Sequence, residues 1–148
     1  MGIRPSSRFS YALRALVDLA AHQGTGPVTV ASIAKRQAIP ARSLEQLLNR
    51  LRRNGLVEAE RGPRGGYCLS RPAGQIPVRA VFEALEPRVL STKSRPPAAG
   101  TDDPVRSVWR QVESAVKTTL DATTLEALAA QVRERVAAPM KHRYTFHI

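Results

Sequence analysis

A mainly α-helical chain with one small β-hairpin is predicted by three features of the sequence. Leu44, Leu47, Leu48 and Leu51 follow i, i+3, i+4, i+7 spacing within residues 41–54, as one face of a helix requires. Gly62-Pro63-Arg64-Gly65-Gly66 separates two short alternating stretches, as a hairpin turn does. Further helical stripes precede and follow these elements. Three helices and then a hairpin is the order of a winged helix-turn-helix, and a long helix beyond residue 103 completes the expected fold.

Ser6 and Ser7 suit the cap of a helix beginning near Arg8, whose apolar positions are Phe9, Ala12, Leu13, Leu16, Leu19 and Ala20. Gly24-Thr25-Gly26-Pro27 ends it. Val28 to Val30 is extended, and Thr29 or Val30 opens a short helix to about Arg36. Gln37 to Pro40 turns the chain into the leucine-striped helix, and Gly55 is a natural residue to follow its end. Leu56 to Arg61 and Tyr67 to Ser70 are the hairpin strands. Pro72 to Pro77 connects them to a helix over Val78 to Leu85, with Val78, Val81, Phe82 and Leu85 on one face.

Residues 1–85 thus form the expected winged domain. Residues 86–102 contain Pro87, Pro96, Pro97 and Gly100 with little periodicity, so a flexible loop is expected. Asp103 and Pro104 form an N-cap and N1 pair. The helix they open repeats Val105, Val108, Trp109, Val112, Val116 and Leu120. Leu125, Leu128, Ala129, Val132 and Val136 define a second helix capped by Thr123 or Thr124, and Pro139 ends it. Residues 103–138 are grouped as helices and 139–148 as a tail.

The 148 residues amount to one ordinary domain. A chain of that size buries roughly 68–70% of its unfolded surface and folds without disulfides or a structural metal. The net charge is +11, from 23 Lys and Arg against 12 Asp and Glu. Residues 1–72 carry 12 basic and 4 acidic side chains, against 11 and 8 in 73–148. This asymmetry points to a polyanion, nucleic acid first, facing the N-terminal half. An anionic membrane surface satisfies charge alone, but no apolar run reaches the roughly 18 residues of a membrane helix. The protein is expected to be cytoplasmic.

The hairpin tip is small and cationic. Gly62, Gly65 and Gly66 permit close backbone approach, and Arg61 and Arg64 suit phosphates or a minor groove. A helix fits the major groove, where side chains near its N-terminus meet base edges. The bland alternative is a solvated amphipathic helix followed by an ordinary surface hairpin. No nucleophile–base pair, phosphate loop or paired carboxylate motif is present, so an enzyme is not expected. His22, His142 and His147 have no metal-ligand spacing, and His22 suits a helix C-terminus.

Ser43-Leu44-Glu45-Gln46-Leu47-Leu48-Asn49-Arg50-Leu51-Arg52-Arg53-Asn54-Gly55-Leu56-Val57, with Arg61-Gly62-Pro63-Arg64-Gly65-Gly66-Tyr67, Leu69 and Tyr11 to Leu16, resembles the Rrf-two family of bacterial transcription regulators. The resemblance covers residues 8 to about 130. It implies a homodimer on double-stranded DNA at a roughly palindromic operator, acting as a repressor. The family's long helix after the wing crosses to the partner subunit, a role that Val105 to Leu120 fits, so residues 103–138 are expected as the dimerisation helices. Family base-reading positions carry over to Arg42, Ser43, Glu45 and Gln46. Arg42 suits guanine, Gln46 adenine, and Glu45 accepts from cytosine or repels a wrong base. Arg50, Arg52, Arg53, Arg61 and Arg64 suit backbone or groove contacts.

Many members hold an iron–sulfur cluster on three cysteines between the post-wing helix and the dimer helix. This chain has none between Glu86 and Pro104, so it resembles the branch without a cluster, and no cofactor is expected. Its effector, a small molecule or a protein, is not written in the residues. Cys68, the single cysteine, lies in the wing and by strand parity off the main core face. It is either an inert filler or a redox sensor, the latter if Arg61, Arg64 and Arg71 depress its pKa. Two other functions compete. The family's cysteine-metabolism repressors pair with an enzyme, so a regulator acting mainly on a metabolic enzyme is one alternative. A non-specific DNA-coating protein is the other.

Overall fold

The computed structural model describes residues 5–87 and 103–137. Among them are six helices and one two-stranded antiparallel sheet. Most of the expected 86–102 loop and all of the 139–148 tail lie outside the described residues.

Helix α1 spans Ser7–Ala21, and the Ser6 hydroxyl caps it by accepting from the Phe9 amide at 3.2 Å. Its expected stripe is buried except Leu13, which is half-buried, and the structure adds Ala15 and Asp18. His22 follows as the C-cap, its ring Nδ1 2.7 Å from the Asp18 carbonyl oxygen. Helix α2, Val30–Gln37, starts at Thr29, whose hydroxyl accepts from the Ser32 amide. Ala38 ends it at φ 51, a left-handed conformation that turns the chain and drops Ile39 into the core. Helix α3, Ala41–Arg53, buries Leu44, Leu47, Leu48 and Leu51 together, as their spacing requires. Gly55 follows at φ 73, where a side chain would be strained.

Strands β1, Val57–Glu60, and β2, Gly66–Leu69, pair with Val57 opposite Leu69 and Glu58 opposite Cys68. β1 is shorter than the expected Leu56 to Arg61, because pairing stops where Arg61 to Gly65 must turn, and β2 keeps the expected length but begins one residue earlier, at Gly66. Tyr67 also exchanges backbone bonds of 2.8 and 2.9 Å with Val28, so the segment before α2 adds a third edge to the wing. The connector at 72–77 contains a 3₁₀ turn, Ala73–Gln75. Helix α4, Val78–Leu85, buries Val78, Val81, Ala84 and Leu85. Phe82, expected on that face, is half-buried and packs edge-on to Phe9 at 5.3 Å.

Helix α5, Pro104–Asp121, begins on the Asp103 carboxylate, which accepts from the Val105 amide at 3.0 Å. Helix α6, Leu125–Ala137, packs along α1 and sets Leu125 and Ala129 in the core. Of the two helices grouped as residues 103–138, α6 therefore completes the winged body. Two backbone bonds fasten the turn between α5 and α6: Val78 N–H to the Thr123 carbonyl and Leu125 N–H to the Ile76 carbonyl.

Asp18 is the one buried charged side chain among the described residues. Arg36 of α2 donates to both its oxygens, at 2.9 and 2.7 Å, and Gln37 donates to Oδ1 at 3.2 Å. The same hydrogen bonding holds the Arg36 guanidinium pKa above its ordinary value. Asp18→Asn keeps the shape and removes the charge. It should lower unfolding stability by about 1–3 kcal/mol, seen as a lower urea midpoint at unchanged m-value.

Gly66 is required by space. A Cβ there would strike the Val28 carbonyl. Gly66→Ala should cost about 1–3 kcal/mol and accelerate hydrogen exchange at the Val28 and Tyr67 amides; unchanged protection there would contradict the close approach.

Candidate nucleic-acid interface

Burying four leucines on one side of α3 leaves the other side to solvent. Arg42, Glu45, Gln46, Asn49, Arg52 and Arg53 are exposed there, and Ser43 is half-buried. Pro40 stands at the N-cap and supplies no side-chain acceptor. The first amides of α3 thus have no side-chain cap, which suits the positive end of a helix to a phosphate.

The structure keeps Arg42, Ser43, Glu45 and Gln46 together on the first turn and a half of α3. It treats Arg50 differently from the sequence expectation of a free groove contact. Arg50 is half-buried, and its Nε donates to the Ala84 carbonyl at 3.1 Å. One edge of its guanidinium therefore ties α3 to α4, and only the remainder is available to a ligand.

At the hairpin tip, Arg61, Gly62, Pro63 and Arg64 are all exposed. Gly62 has φ 117, and its carbonyl accepts from the Gly65 amide at 2.9 Å, which closes the turn. A Cβ on Gly65 would strike the Glu60 carbonyl, so both glycines are needed for a turn this tight. The arginines flank a bare backbone, an arrangement that lets the tip approach a phosphate ridge closely.

Cys68 departs from the sequence expectation in its chemistry. It is half-buried on β2. Burial pushes its thiol pKa up, and the carboxylates of Glu60 and Glu58 push it further. The depression expected from the arginines is therefore not seen, first because the side chain is part-buried and then because β1 places two acids alongside.

Helix α5 has no buried residue. It leans on the body by one edge, where Arg106, Glu113, Lys117 and Leu120 are half-buried. Leu120, grouped by spacing with the stripe, packs instead against the core. Val105, Val108, Trp109, Val112 and Val116 stay exposed, Trp109 at 65%. Arg79 of α4 fixes this seating by bonding to Asp121 at the end of α5 and to Glu83 on its own helix, each at 2.8 Å.

Sequence reasoning missed three contributors. Asp18 interrupts an apolar stripe, and that interruption was the available signal for a buried partner in α2. The Val28 edge of the wing had no local signal. Arg8 and Tyr11 of α1 line a groove beside α3, a proximity only the fold creates.

Comparison with known proteins agrees with this geometry. A family model described as Rrf2, iron-dependent transcriptional regulator, matches residues 5–131. The HTH-type transcriptional regulator IscR of Xenorhabdus nematophila is 40% identical over 129 residues, which are 85% of this chain and 79% of that protein. IscR of Pectobacterium carotovorum is 39% identical with the same coverage. Among solved structures, CymR, the global cysteine regulator of B. subtilis, superposes with a TM-score of 0.74 at 34% identity. That match covers 88% of this chain and 98% of CymR. T. potens IscR gives a TM-score of 0.74 at 32% identity, covering 98% of this chain and 96% of that one. On these matches the chain belongs to the Rrf2 family of bacterial transcriptional regulators, DNA-binding proteins of winged-helix fold.

Proposed function

We propose that this chain is a homodimeric, sequence-specific repressor that works in the cytoplasm without an iron–sulfur cluster. The observation that carries DNA reading is α3 itself, which buries its four leucines and offers Arg42, Ser43, Glu45 and Gln46 outward. Under this reading Arg42 pairs with guanine and Gln46 with adenine in the major groove. Arg52, Arg53, Arg61 and Arg64 take phosphates or a groove edge and supply much of the salt-dependent affinity. Occupancy of an operator overlapping a promoter then excludes polymerase.

The dimer reading rests on α5. A helix that turns five large apolar side chains to solvent on one stripe is incomplete as a monomer. A second copy, presenting the same stripe, covers it symmetrically.

The residues present do not fit the cluster that the family description suggests. A cluster on three thiolates needs three cysteines; the chain has one, and it lies in the wing. Among the described residues no three His, Cys, Asp or Glu side chains converge on a metal site. We therefore assign no step to iron.

Two measurements test these assignments. On an operator selected in vitro by the wild-type protein, Gln46→Ala should cost about 1–3 kcal/mol in fluorescence anisotropy, with little effect on random DNA. Arg64→Ala should weaken both duplexes alike. Equal loss for Gln46→Ala on both would remove it from base reading. In sedimentation, the wild type should run as a dimer, and the double variant Trp109→Glu, Val112→Glu as a folded monomer with weakened operator binding. A wild-type monomer at micromolar concentration would overturn the dimer.

A further inference from the structure

An open groove of about 850 Å³ runs between the start of α1 and the outer side of α3. Arg8 and Tyr11 of α1 form one wall, and Gln46, Asn49, Arg50 and Arg53 of α3 form the other. Three guanidinium groups line it and no carboxylate does. The ion pairs among the described residues involve none of these arginines. Arg50 is held in place through its Nε bond to Ala84, and its two Nη groups have no partner among the described residues. Uncompensated guanidiniums gathered along one groove repel each other, and a bound anion relieves that repulsion. Their planar forks match phosphate oxygens.

The position of the groove selects which phosphate. Gln46 belongs both to the groove and to the proposed base-reading turn. A duplex that takes α3 into its major groove must carry one sugar–phosphate strand alongside that helix. The shape agrees. Small-ligand sites enclose 70–90% or more of their occupant, whereas this groove lies open to solvent, as a passing strand requires.

We infer that the groove seats the phosphate strand flanking the bases read by α3, with Arg8 and Tyr11 of α1 as direct phosphate contacts beside Arg50 and Arg53. The inference rests on the DNA-binding reading above and extends the interface onto α1, which that reading leaves out.

The test uses the full chain, a duplex selected by the wild type and a random duplex, each titrated across salt concentrations. Arg8→Gln should weaken both duplexes several-fold by the same factor and flatten the salt slope by about 1. Arg8 is exposed, so its thermal midpoint should not move. Tyr11→Phe, which removes only the hydroxyl, should give a smaller uniform loss. Unchanged affinity and slope for Arg8→Gln, with wild-type operator preference intact, would sink the groove and leave the regulator reading standing. A wild type that selects no sequence would sink that reading instead, and the slopes on random DNA would still decide the groove. Sodium phosphate should displace DNA no better than chloride at equal ionic strength. Phosphate-specific displacement that vanishes in Arg8→Gln would mean a site for a free anion and would overturn the strand seat.

Discussion

The geometry of the molecule hangs on one buried carboxylate. Asp18 lies within the apolar face of α1, where an unpaired charge would be prohibitively costly. It is tolerated because Arg36 meets it with two parallel hydrogen bonds and Gln37 adds a third. Those partners sit at the C-terminal end of α2, so satisfying Asp18 fixes where α2 ends relative to α1. The left-handed turn at Ala38 then launches α3 from that point. Leucine packing holds α3 in the core. A bidentate ion pair has one register. The apolar stripe seats α3 in the core, and the ion pair ties the end of α2 to α1 just before α3 begins.

The wing is referenced to the same frame by a different route. Val28 immediately precedes the cap of α2, and its two backbone bonds to Tyr67 make the wing an extension of that segment. Gly66 permits the approach because it has no Cβ to strike the Val28 carbonyl. Helix α3 and the wing are therefore both attached to α2, one through its C-terminal turn and one through its N-terminal approach. A displacement of α2 would move both together, which is the behaviour expected of a rigid reading head.

Much of this was legible in the sequence, for reasons that differ by element. The four leucines of α3 and the Gly62 to Gly66 turn are local signals, and local signals survive folding unchanged. The ends of α1, α2 and α5 followed from Ser6, Thr29 and Asp103, whose side chains bond amides two or three residues on. What was not legible depends on long-range approach. Periodicity identified the α5 stripe but did not separate Leu120, which packs on the core, from Trp109, which does not. Parity put Cys68 off the core face, yet its raised pKa follows from burial first and then from Glu60 and Glu58 across the hairpin. The arginine-rich neighbourhood in the chain was a poor guide because sequence distance is not spatial distance. Arg50 carries the same lesson: its spacing places it on the edge of the polar face, and only the packing of α4 reveals Ala84 as its acceptor.

The distribution of negative charge in the N-terminal half sharpens the functional reading. Residues 1–72 contain four carboxylates. Asp18 is buried and ion-paired with Arg36, and Glu58 and Glu60 lie on β1, Glu60 at the base of the hairpin turn. Only Glu45 lies on the outer side of α3. For a helix that approaches a polyanion, this carboxylate is a Coulombic liability at every non-specific sequence. The liability is offset only where a base edge supplies a donor, as the cytosine amino group does in the major groove. Arginine at that position would raise affinity everywhere. Glutamate lowers it everywhere except at the matching base, and specificity is the difference between those affinities. Under the proposed base-reading role, a protein that merely coated DNA would gain nothing from Glu45, whereas one that must find a single operator among many sites would gain discrimination from the repulsion itself.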